Sequence, residues 1–71
     1  MDLETRNDRR RTYTMVARLA DRGLTQDDLE RVLREVYADG NDTVRTALRE
    51  SNESLLALGY DRVAYAESPG D

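Results

Sequence analysis

The sequence predicts an all-α fold: a small three-helix bundle followed by a short extended C-terminal arm. Three observations carry that prediction. Apolar residues recur at steps of three and four in three separate stretches, the period of a half-buried helix. Two stretches close on a glycine followed at once by a large apolar residue, Gly23-Leu24 and Gly59-Tyr60. The second and third stretches open on polar residues suited to capping a helix, Thr25 and Asp42. A chain of 71 residues is read as one domain, residues 1–71, with residues 1–6 and 66–71 expected to fray.

The first helix is expected from about Asn7 to Arg22, with Asn7 or Thr5 at its start. Tyr13, Val16, Ala17 and Ala20 form its apolar stripe, widened by Met15 and Leu19. Gly23 is placed to end it as a left-handed cap, and Leu24 to pack back on Leu19.

The second helix has the clearest start signal. Thr25-Gln26-Asp27-Asp28 puts a hydroxyl at the N-cap and a carboxylate three residues on, and both aspartates sit where the helix dipole favours negative charge. Leu24 and Leu29 flank the cap as a hydrophobic staple. Leu29, Val32, Leu33, Val36 and Tyr37 then form the strongest amphipathic face of the chain. That face predicts a central element touching both neighbours. Ala38-Asp39-Gly40-Asn41 ends it; Asp39-Gly40-Asn41-Asp42 bears a faint likeness to part of a calcium loop, but helix stop followed by helix start accounts for it.

Asp42 is the expected cap of the third helix, with Thr43 behind it. Val44, Leu48, Ser51, Leu55 and Leu58 trace a seam stepping by four and three, with Ala47 beside it. The polar run from Glu50 to Ser54 leaves two readings, one continuous helix or two short ones. The seam keeps its phase across the run and favours one. After Gly59, Val63 and Tyr65 alternate with Arg62 and Ala64, as in a short strand or extended arm, and residues 66–71 read as a tail.

Composition narrows the function. Every positive charge is an arginine, and there is no lysine, histidine or cysteine. No serine or threonine therefore has a base to activate it, and structural zinc lacks its preferred ligands. The carboxylate pairs Asp27–Asp28 and Glu50–Glu53 would need a pocket that separates their pKa values, which a domain this small rarely encloses. We expect neither an enzyme nor a cofactor. Arginine-only basicity without isoleucine or phenylalanine is what a GC-rich genome writes. With fifteen acidic residues and a net charge of −4, it fits either a salt-adapted cell or an ordinary GC-rich bacterium or phage. The longest apolar run, Leu55 to Leu58, is far short of a membrane span, and no apolar stretch follows the charged N-terminus. A cytoplasmic protein without membrane contact is expected.

Charge is polarised along the chain. Residues 1–23 hold six arginines against four acids, whereas residues 24–40 hold two against five and residues 41–71 three against six. Arg9-Arg10-Arg11, with Arg6 nearby and Tyr13 beside it, is the basic cluster. Guanidinium forks suit carboxylates and phosphates alike. Leu56 and Tyr65 lie beside the third seam as apolar residues beyond what one intramolecular groove uses. Together these features predict a homodimer or a surface awaiting a partner.

The segment from Leu24 to Ser51, LTQDDLERVLREVYADGNDTVRTALRES, resembles a helix-turn-helix. That resemblance implies a supporting helix from Leu24 to Ala38 and a reading helix from Asp42 to Ser51. Arg45 and Arg49 would then point one turn apart towards bases, joined by Thr43 and Thr46. The same stretch, through Gly23-Leu24 and the compact third helix, also resembles ubiquitin-associated three-helix domains. The reading that follows is a non-catalytic regulatory or accessory protein that binds another macromolecule. The favoured partner is a protein, acidic where it meets Arg9, Arg10, Arg11, Tyr13, Leu56 and Tyr65. A DNA-binding regulator using Thr43, Arg45, Thr46 and Arg49 is the alternative.

Overall fold

The computed structural model describes residues 3–65. The expected 66–71 tail lies outside them. Three helices make up the fold, α1 (Leu3–Asp21), α2 (Gln26–Asp39) and α3 (Asp42–Ala57), and no strand occurs among the described residues. Helix α1 begins four residues earlier than its apolar stripe indicated, so Leu3 to Arg6 are helical rather than frayed. Residues that good helix formers such as leucine, glutamate and arginine dominate extend a helix beyond its packed face.

Pairs of side chains fix the helix directions. Asn41 Nδ2 donates to Asp8 Oδ2 (3.2 Å), and the Tyr13 hydroxyl donates to Glu50 (2.6 Å), so α1 and α3 run the same way. Arg45 near the start of α3 reaches Tyr37 near the end of α2, and Tyr60 just past α3 bonds Leu24 just before α2, so those two run oppositely. The result is an up-down-up bundle.

The caps follow local chemistry. Thr25 accepts from the Asp28 amide (3.2 Å), as its position indicated. For α3 the cap is Asn41 rather than Asp42: its side-chain oxygen accepts from the Val44 amide at 2.9 Å. Asparagine caps as well as aspartate, and its amide is left over to bond Asp8. Gly40 makes the tight α2–α3 link passable, since a Cβ there would lie 2.7 Å from Val44 Cγ1. Gly59 has φ +97°, and the amides of Gly59 and Tyr60 donate back to Leu56 and Leu55, the expected Schellman ending.

The core is Val16, Leu29, Leu33, Tyr37, Leu48, Leu55, Val63 and Tyr65, with Ala47 also fully enclosed. Helix α3, not α2, is the central element. It buries Ala47, Leu48, Ser51, Asn52 and Leu55, spanning more of its circumference than the three buried positions of α2. The reason is that α3 is covered on both sides, by α1 and by the arm. Helix α3 is also continuous through Glu50 to Ser54. Ser51 satisfies its hydroxyl on the Ala47 carbonyl (2.8 Å), and Asn52 is turned inward to the arm. The α1 stripe is shifted from its expected line: Thr12 is buried beside Val16, whereas Ala17 is exposed and Tyr13 39% exposed. Thr12 tolerates burial because its hydroxyl donates to the Asp8 carbonyl at 2.8 Å. Leu58, expected at the end of the α3 seam, lies past the helix at 59% exposure.

Residues 60–65 form the extended arm, without strand pairing, in the groove between α2 and α3. Side-chain amides take the place of a neighbouring strand. Asn52 donates to the Val63 carbonyl (3.2 Å) and accepts from its amide (2.9 Å). Gln26 does the same for Asp61 at 3.2 and 2.9 Å. Arg34 adds a bond to the Ala64 carbonyl, and the Tyr60 hydroxyl bonds the Leu24 carbonyl (2.6 Å). Val63 is then sealed in the core, and the Tyr65 ring stacks on Tyr37 with centroids 4.6 Å apart.

Candidate functional site

Helix α1 separates its arginines by face. Arg9 turns towards the bundle, where its Nε is buried without a hydrogen-bond partner among the described residues. Arg10 and Arg11 are exposed on another side. With Thr14, Met15, Arg18, Leu19 and Arg22 they line an open groove of about 450 Å³. These positions advance alternately by one and three, the spacing of a single helical face. The stripe from Arg10 to Arg22 is roughly 18 Å long at 1.5 Å per residue.

The electrostatics of this groove are one-sided. Four arginines and no acidic residue line it. The ion pair among the described residues, Arg34 with Glu30 (3.1 Å), lies on α2. Met15 and Leu19 form an apolar floor, half-buried and packed against the core from below. Such a surface offers both positive charge and a dry contact.

The other residues singled out from sequence are distributed differently. Tyr13 is not part of the groove; its hydroxyl is held by Glu50, and that hydrogen bond, followed by partial burial, raises its pKa. Tyr65 is buried rather than a surface residue, because the arm folds back over α2. Burial pushes its pKa up to about 12, with the Arg34 charge acting against the rise. Leu56 is exposed at 44% on the outer side of α3.

Arg45 and Arg49 are engaged within the fold instead of pointing away from it. Arg45 donates to the carbonyls of Tyr37 (2.9 Å) and Ala38 (3.3 Å), closing the C-terminal end of α2 where cations are favoured. Arg49 donates to the Tyr37 hydroxyl at 2.6 Å. Both guanidiniums lie over the Tyr37 ring, 5.2 and 5.8 Å from its centroid. Thr43 is half-buried and Thr46 exposed. Arg45 and Arg49 are therefore engaged with the end of α2 rather than presented beside Arg10 and Arg11 in the α1 groove.

Sequence reasoning missed Arg18 and Arg22, and it assigned Met15 and Leu19 wholly to the core. The signal was present: Arg10, Arg18 and Arg22 recur at steps of eight and four, and Met15 and Leu19 at a step of four, so each set repeats on one helix face. No group of three or more residues able to hold a metal ion occurs among the described residues, and no helix among them is long and apolar enough to cross a membrane. No protein-family model, curated protein or solved structure matches the chain.

Proposed function

We propose that this is a non-catalytic regulatory or accessory protein that acts by binding another protein, and that the groove on α1 is its binding face. One observation carries the reading: Arg10, Arg11, Arg18 and Arg22 share one groove with the apolar side chains of Met15 and Leu19, with no acidic residue among the lining residues. Arginine and methionine are enriched where proteins meet, and a guanidinium beside an apolar floor fits an acidic, partly apolar partner. A phosphate backbone would use the charges but leave the floor unused. The −4 net charge of the chain would also oppose a polyanion. A cytoplasmic setting belongs to this reading.

The DNA-binding alternative has less support, because Arg45 and Arg49 already satisfy α2 and Tyr37. A photocrosslinking amino acid in place of Thr14, exposed within the groove, tests the choice in the producing cell. Attachment to protein is the expected result. Attachment to nucleic acid, with random duplex DNA bound in vitro and released steeply by salt, overturns the reading.

A further inference from the structure

The surface that complements this groove is on the same chain. The outer side of α3 carries Glu53 and Leu56 three residues apart, hence on one face, with Ala57 one turn from Glu53. Leu56 is 44% exposed, and Leu58 just beyond it 59% exposed. Glu53 is exposed and makes no ion pair among the described residues. Glu50, one turn back, is held by the Tyr13 hydroxyl and lies at the edge of this side. Here a carboxylate borders exposed leucine, whereas on α1 guanidiniums border half-buried methionine and leucine.

We infer that the groove on α1 takes the Glu53–Leu56–Leu58 patch of a second copy of this chain. The inference rests on the proposed binding role of the α1 groove and names its occupant. Leu56 of one copy would lie on the Met15–Leu19 floor of the other, and Glu53 would meet the Arg11 and Arg18 guanidiniums. Because each copy carries both surfaces, a two-fold pairing forms the contact twice, whereas a head-to-tail pairing forms it once and leaves both outer surfaces open. The groove spans only one helix face, so a single contact falls below the roughly 800 Å² per partner of a standard interface. Association is therefore weak, reversible and sensitive to salt, since exposed charges are screened beyond about 10 Å at 0.1 M.

Sedimentation of the full chain over a wide concentration range, at low and high salt, tests this. The expected result is an average mass rising above 8.1 kDa with concentration, less so at high salt. Arg18→Glu leaves an acidic residue in the groove, and Glu53→Arg places a basic one on the patch. Each variant alone meets like charge at the contact and should associate at least about tenfold more weakly. An equimolar mixture restores association, because the altered groove of one fits the altered patch of the other. Both positions are exposed, and an unchanged far-ultraviolet spectrum and melt show that the fold is kept.

A native chain that stays monomeric, variants that associate as well as the native chain, or a mixture that fails to recover would each overturn the inference. A monomer whose Thr14 crosslinker still captures a different protein would overturn the self-pairing alone. Capture of nucleic acid would instead overturn the role proposed for the groove.

Discussion

Arginine is used in two opposite ways in this molecule. Near the start of α3, Arg45 and Arg49 lie over the Tyr37 ring and donate to its hydroxyl and to the last carbonyls of α2. Along α1, Arg10, Arg11, Arg18 and Arg22 line a groove and enter no ion pair among the described residues. The first set is bound into the fold; the second is presented outward. Residue type alone does not separate them. What separates them is whether an acceptor lies within reach: α3 starts against the carbonyl-rich end of α2, whereas the outer side of α1 faces solvent.

The sharpest way to break this contrast is through Tyr37, which both internal arginines and Tyr65 use. Tyr37→Ala removes a buried ring, the stacking partner of Tyr65 and the hydroxyl acceptor of Arg49 together. A buried aromatic replaced by alanine costs about 3–5 kcal/mol, a large part of the total in a domain whose stability falls near the low end of roughly 5–15 kcal/mol. Chemical denaturation should find the isolated domain largely unfolded. A melt shifted by only a few degrees would show that the internal arginines do not depend on Tyr37.

Next in size is the clamp on the arm. Asn52→Ala leaves the buried amide and carbonyl of Val63 without partners, at about 1–3 kcal/mol for each group. We expect a loss of about 2–4 kcal/mol, together with rapid hydrogen exchange at residues 60–65. Full protection of the Val63 amide in this variant would mean that packing of Val63 and Tyr65 alone holds the arm.

Alkaline titration separates the arm from the α1 groove, where every charge is an arginine. Tyr65 has its pKa pushed up to about 12, against about 10 in the unfolded chain. The folded state thus keeps its proton where the unfolded state gives it up. The associated stability is complete below pH 10 and is lost as pH rises from about 10 to 12, by at most about 1.4 kcal/mol per pH unit. Tyr65→Phe should remove that alkaline loss. It should also change neutral stability little, because the hydroxyl has no hydrogen-bond partner among the described residues.

The helices were legible because each depends on local chemistry. Thr25, Gly23 and Gly59 act where they stand, and the five-residue face of α2 announces itself by period. What was not legible depends on distant partners. Asn52 looked like an interruption of α3, because nothing local shows that it will bond Val63, eleven residues on. Tyr65 looked exposed for the same reason: its burial requires the arm to turn at Gly59 and run back along α2. The importance of α3 was underestimated because period counts only one face, and α3 is covered on two. In the candidate site, the arginine triplet drew attention by adjacency, yet adjacent residues on a helix point different ways. Arg9 turned inward, while the groove drew on Arg18 and Arg22 further along.

The internal set also makes a smaller prediction. Arg45→Gln should cost about 1–2 kcal/mol, since hydrogen bonds to charged groups contribute about 1.5–3 kcal/mol and its site is only half-buried. The same substitution in the α1 set should do far less, which is the most direct check on the contrast. Arg10→Gln, Arg11→Gln and Arg18→Gln each remove a charge that is exposed and unpaired among the described residues. Exposed changes away from caps and core usually move stability by less than about 0.5 kcal/mol, and Arg18 adds a modest favourable term at the C-terminal end of α1. Thermal melts of these variants should therefore overlay the native curve within a few degrees, while crosslinking from Thr14 declines. If each instead destabilises as much as Arg45→Gln, the α1 arginines belong to the fold after all. The contrast would then reduce to one use of arginine rather than two.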